Sequence, residues 1–209
     1  MTTFSTPTPI TATLDVPVGN VTVTATDRTD TVVEIRPADP SNKTDVRAAE
    51  RFRVEFDGTT LTVELPRGGW NPFAGTPSVE VGILVPTGTR LTAGLAVGRL
   101  HTAGAFDGCE LSVADGDIRV ERPRGAVTAV AARGDIRVED AASGVLRLET
   151  STGELEVGIR PGGAARLATH ESFGPVRDAL EPAAPGAELV EVHARNSCGP
   201  IVVGHTVGV

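Results

Sequence analysis

Between residues 10 and 86 the chain breaks into short runs in which apolar and polar residues alternate: ITATLDVP, GNVTVTATDR, TVVEIRPAD, RFRVEFDG, TTLTVELP and SVEVGILVP. A period of two puts successive side chains on opposite faces of a strand, so each run predicts a half-buried β-strand. Asp57-Gly58, set between Glu55-Phe56 and Thr60-Leu61, predicts a tight hairpin. The polar segment SNKTDVRAAE (41–50) suits a loop or a single helical turn, and the Thr/Pro-rich residues 1–9 predict a flexible tail.

After residue 87 the alternation acquires a longer period. Gly98, Gly116, Gly134, Gly153, Gly174 and Gly199 follow one another at gaps of 18, 18, 19, 21 and 25 residues. Two positions after each stands Leu100, Ile118, Ile136, Leu155, Val176 or Ile201; four positions after, Thr102, Val120, Val138, Val157, Asp178 or Val203. Only Asp178 is a clear misfit. Before the anchors the alternation returns, as in Leu91/Ala93/Leu95, Cys109/Leu111/Val113, Val127/Ala129/Ala131 and Leu146/Leu148/Thr150. Each repeat therefore holds two short strands joined by a Gly corner.

Such a unit cannot stand alone. Ordering it costs roughly 1.5 kcal/mol per residue, while each buried Val, Ile or Leu returns about 2 kcal/mol. Stacked as coils about 4.8 Å apart, the repeats would bury their apolar positions in continuous columns, Ile118 over Ile136 and Val120 over Val138. The expected fold is all-β: a parallel β-solenoid of ~18-residue coils over 87–209, with residues 10–86 a strand-rich region that caps or continues it. An antiparallel sandwich has a similar strand rhythm but does not require identical columns at every repeat.

Composition narrows the function. Aromatic residues make up 3% of the chain, with no Tyr, so the interior must be built of small aliphatic side chains. A net charge of −8 disfavours nucleic acid and anionic membranes as partners. No run is long and apolar enough for a membrane span, and the first residues lack the basic and apolar regions of a signal peptide. A cytoplasmic location is therefore expected, with Cys109 and Cys198 as reduced thiols: Cys109 falls in an inward column, while Cys198, just before the last Gly anchor, is open to exposure.

No catalytic or phosphate-binding motif appears, and His101, His170, His193 and His205 are scattered, so no catalytic residue, metal site or cofactor is assigned. Two places remain for a partner. One is the Gly/Pro-rich loop PRGGWNPFAGTP, whose Trp70 and Phe73 either form an exposed tip or fold back over the sheets. The other is the outward face of the repeats. There Asp117, Asp135 and Glu154 would stack as an acidic ladder beside Arg119 and Arg137. A solvated, partly compensated edge and a weak cation site are the two readings of that ladder.

The segment VEVGILVPTGTRLTAGLAVGRLHTAG, followed by coils such as GDIRVE and TGELEV, resembles the bacterial putative-adhesin domains over residues 10–205. The resemblance implies a parallel β-solenoid-like fold with no established activity. The expectation is thus a non-enzymatic binding or scaffolding module. Its partner is an unknown protein, or another copy met through the solenoid ends. A self-assembling scaffold of the bactofilin kind is the main alternative. A polysaccharide-acting β-helix enzyme is disfavoured by the scarcity of sugar-stacking aromatics.

Overall fold

The computed structural model describes residues 1–66, 77–170, 174–180 and 188–205. The N-terminal half contains β1 (Thr2–Ser5), the long β2 (Thr11–Thr26), β3 (Asp30–Pro37), α1 (Lys43–Arg51), β4 (Arg53–Phe56), β5 (Thr60–Glu64) and β6 (Val79–Pro86). A second long strand, β7 (Arg90–Gly104), leads into paired short ones: β8 (Gly108–Asp115) and β9 (Ile118–Glu121), β10 (Ala126–Arg133) and β11 (Ile136–Ala141), β12 (Gly144–Thr152) and β13 (Leu155–Ile159). The last pairs are β14 (Ala164–His170) with β15 (Val176–Ala179), and β16 (Leu189–Cys198) with β17 (Ile201–His205).

Each pair is one coil, and the coils stack with parallel hydrogen bonding. Along one side the order is β5, β2, β7, β8, β10, β12, β16, β14. Along the other it is β6, β2, β7, β9, β11, β13, β17, β15. This is the solenoid-like parallel form expected from the repeat, and it displaces the antiparallel sandwich. Ile118 opposes Ile136 and Val120 opposes Val138, as the spacing requires. The first of these columns continues through Leu155 and Ile201, and all four of its members from Ile118 onward are essentially fully buried.

At both ends, chain order and stacking order part company. β2 lies between the β5–β6 coil and β7. The C-terminal pair β16–β17 lies between β12–β13 and β14–β15, so the Gly199 coil, not the Gly174 coil, rests on that of Gly153. A parallel strand finds its neighbour through inward columns that all coils share, so the repeat pattern alone leaves the order open.

The corner glycines form the tightest contact in the stack. A Cβ on Gly98 would lie 1.7 Å from the Gly19 carbonyl oxygen, one on Gly116 1.8 Å from that of Gly98, and one on Gly134 2.1 Å from that of Gly116. Their φ angles, +139° for Gly98, +138° for Gly116 and +133° for Gly134, are in a region that side chains disfavour. Gly19 belongs to this column too, which the spacing from residue 87 onward does not reveal.

The N-terminal region both continues the stack and covers its end. β3 pairs antiparallel with β6, β1 with β3, and β4 with β5. Residues 2–5 are therefore not a loose tail. Phe4 packs on Phe56 with ring centroids 5.3 Å apart, and the buried Thr6 and Thr31 hydroxyls share a 2.9 Å hydrogen bond. The Asp57-Gly58 hairpin forms as expected, with Asp57 Oδ1 accepting from the Thr59 and Thr60 amides. Residues 41–50 yield more than one turn. α1 is capped by Asn42, whose side chain accepts from the Thr44 amide, and it packs on β3 through buried Ala48. Buried Asp45 ties the helix down by accepting from the Ser78 and Asp39 amides.

Placing a carboxylate in a filled column would leave an unpaired charge in the core, so Ile118→Asp or Ile136→Asp should abolish cooperative thermal unfolding monitored by circular dichroism. The opposite sign is expected at Thr102. Its hydroxyl, in the Val23–Val120 column, is buried with no hydrogen-bond partner among the described residues. Thr102→Val should raise stability by about 1 kcal/mol, seen as a rise of roughly 2–4 °C in melting temperature.

Candidate functional site: the charged outward face of the central coils

Four of the six sequence-derived candidates come together. Parallel pairing sets Arg119 opposite Arg137, and Arg137 opposite Glu156, on the outward side of β9, β11 and β13. With Asp117, Asp135 and Glu154 at the adjoining Gly corners they line an open cleft of about 220 Å³, floored by Ile136. Trp70 and Phe73 lie outside the described residues.

The acidic ladder is built into the backbone. Asp117 Oδ1 accepts from the Asp135 amide at 3.1 Å, and Asp135 Oδ1 accepts from the Glu154 amide at 2.7 Å. Each carboxylate thus satisfies a corner N–H of the next coil, which explains why a like-charge column is tolerated. The outer oxygens of Asp117 and Asp135, and the carboxylate of Glu154, meet no cationic side chain among the described residues. The arginines are already engaged. Arg119 contacts Glu139 at 3.0 Å and Glu121 at 3.5 Å, while Arg137 contacts Glu156 at 2.5 Å. His101 is half-buried and bonded to Glu121 at 2.9 Å. The cleft therefore carries net negative charge, with its acids spaced one coil apart. Among the described residues no group of three or more His, Cys, Asp or Glu is placed to hold a metal ion.

On the opposite corner Asp140 and Arg160 form a two-bonded pair at 2.8 and 3.0 Å. The hydrogen bond from Arg160 holds the Asp140 carboxyl below its ordinary value. This pair joins neighbouring coils and leaves no free charge for a ligand. Sequence reasoning had not singled it out, although Asp140 and Arg160 flank successive coils at the spacing of the repeat.

Both cysteines are free. Cys109 fills an inward position opposite Leu91 and Val127, and burial pushes its thiol up to about 12. Cys198 is exposed, because it sits one position before the corner glycine where the strand turns outward. None of the described helices is long and apolar enough to cross a membrane.

What the geometry defines is a coil-stacked, all-β repeat protein with a charged outer face. A solved structure shares that fold. A putative cell adhesion protein from Clostridium sporogenes, 11% identical, matches over 98% of both chains with a TM-score of 0.58. A putative adhesin from Bacteroides fragilis, 13% identical, is matched over 97% of this chain and 95% of its own, at a TM-score of only 0.35. No protein-family model matches the chain, and no curated protein does. The resemblance to bacterial putative-adhesin domains is thus shown at the level of fold.

The contrast between the two thiols has a direct readout. Under native conditions a maleimide should label one cysteine, Cys198, within minutes, and Cys109 only after denaturation. Rapid labelling of both in the folded protein would contradict the inward placement of Cys109.

Proposed function

We propose that the protein is a non-enzymatic, adhesin-like binding module that holds a cationic segment of a partner protein along the outward face of β9, β11 and β13. The observation that carries this reading is the cleft itself. Asp117, Asp135 and Glu154 present carboxylate oxygens without cations among the described residues, one coil apart, beside arginines neutralised by their own partners. A row of acids at a spacing of about 4.8 Å suits successive Lys or Arg side chains better than a single compact ion. The fold likeness to proteins named for adhesion supports a binding role. A polysaccharide-acting enzyme finds no support in the described faces, since Phe4, Phe52, Phe56 and Phe106 all pack against the core.

A self-assembling scaffold is the second reading. Among the described residues β14 and β15 each pair on one side only, with β16 and β17 respectively, and a strand edge of that kind can template pairing with another copy. We place the module in the cytoplasm, where free cysteines persist; fractionation of the native protein to the cell exterior would overturn that placement.

The test uses Asp117→Asn with Asp135→Asn. Asparagine keeps the oxygen that accepts the neighbouring amide, so the coil contacts survive while the charge goes. Binding of a Lys-rich decapeptide, measured by calorimetry, should weaken at least tenfold and fade with added salt, with the melting temperature changed by no more than a few degrees. Equal binding by the double variant would refute the cleft as the site. Filaments or concentration-dependent oligomers by sedimentation and electron microscopy would instead favour the scaffold.

A further inference from the structure

In six described coils the position three residues before the corner glycine points into the stack, and in four of them it is apolar: Val16, Leu95, Val113 and Ala131. In the other two described coils it is polar. Thr150, fully buried, donates from Oγ1 to the Gly134 carbonyl at 3.0 Å. Asn196, also fully buried, donates from Nδ2 to the Gly153 carbonyl at 2.8 Å and to the Pro200 carbonyl at 3.3 Å, while its Oδ1 accepts from the Cys198 amide at 3.0 Å. Both side chains reach the corner glycine of the coil beneath. Each therefore recognises its neighbour.

The repeat offers two candidates for the coil above β12–β13: β14–β15, which follows in the chain, and β16–β17, which occupies the slot. Gly174 and Gly199 both have the anchor spacing. In the sequential order the position three before the anchor would be Glu171, whose carboxylate accepts but cannot donate to the Gly153 carbonyl. In the observed order that position is Asn196, which can. We infer that Asn196 is the register key of the C-terminal half: its buried amide selects β16–β17 as a wedge between β12–β13 and β14–β15, and so makes β14–β15 the strands displayed at that end of the stack. A single buried amide can select one arrangement among several of similar apolar packing because the alternative would set an inward carboxylate, with no proton to donate, against the Gly153 carbonyl. The consequence for function is positional, since the chemistry offered at this end is that of β14–β15.

Cross-strand disulfides read the order directly. Glu149, Arg195 and His170 lie in one register row, with Arg195 in the middle. In a Cys198→Ser background, the pair Glu149→Cys/Arg195→Cys would have adjacent Cα atoms, whereas Glu149→Cys/His170→Cys would be about 9–10 Å apart, beyond bridging. With Asn196 intact, only the 149–195 bridge should form on oxidation. Moving the donor, by Asn196→Val with Glu171→Asn, should shift the majority of cross-linking to 149–170. A folded Asn196→Val/Glu171→Asn protein that still bridges only 149–195 would overturn the inference, as would a 149–170 bridge with Asn196 intact. Should that variant fail to fold, Asn196→Thr decides: retaining a donor, it is expected to fold and bridge 149–195, and its failure to do so would equally refute the key.

Discussion

The structure depends on a close approach at one corner of the coil, where the carbonyl of one glycine occupies the space a side chain of the next would need. Gly98 faces Gly19, Gly116 faces Gly98, Gly134 faces Gly116 and Gly153 faces Gly134, each with the carbonyl about 2 Å from where a Cβ would be. That contact lets the chain bend from one strand into the next and still keep the coils at hydrogen-bonding distance. Columns of Ile, Leu and Val can then align without gaps, which is how a chain with few aromatic residues builds a dry interior. Two long strands, β2 and β7, pass through the same corner, so the two sides are a single curled sheet.

The same corner also produces the candidate site. Because the residue after each glycine points outward, Asp117 and Asp135 emerge one above the other, and each uses one oxygen to satisfy the next coil. A solvated structural edge and a partner-binding row are therefore the same residues used twice: one oxygen inward to the backbone, the other outward. On the flat part of the coil the arginines are consumed by Glu121, Glu139 and Glu156, which leaves the corner as the net acidic strip.

The parts of this arrangement visible in the sequence are those that repeat locally. The interval between Gly116 and Gly134 and the inward Ile118 and Ile136 set both coil and register, and Asp57-Gly58 marked its hairpin. What stayed hidden depends on contacts between distant segments. Residues 2–5 have the composition of a tail, yet Phe4 finds Phe56 and Thr6 finds Thr31. The membership of Gly19 was obscured because the β2 coil is separated from β7 by the whole cap. Coil order was invisible to periodicity, since every Gly-x-[Ile/Leu/Val] segment fits every slot. The signal that does distinguish them, Asn196 against Glu171, concerns hydrogen-bond donors and not hydrophobicity. For the site, the four charged candidates were legible because they share the period of the repeat, whereas the pairing of Arg119 with Glu139 needed the register of adjacent coils.

Two glycine substitutions test the corner most directly, compared by thermal melting. Gly82, on β6, has open space where a Cβ would go and no left-handed φ, whereas at Gly134 the added Cβ would meet the Gly116 carbonyl at 2.1 Å. The account predicts that Gly82→Ala is neutral or slightly stabilising, while Gly134→Ala lowers the melting temperature by about 10 °C or more, or prevents folding. Equal melting temperatures for the two variants would contradict it.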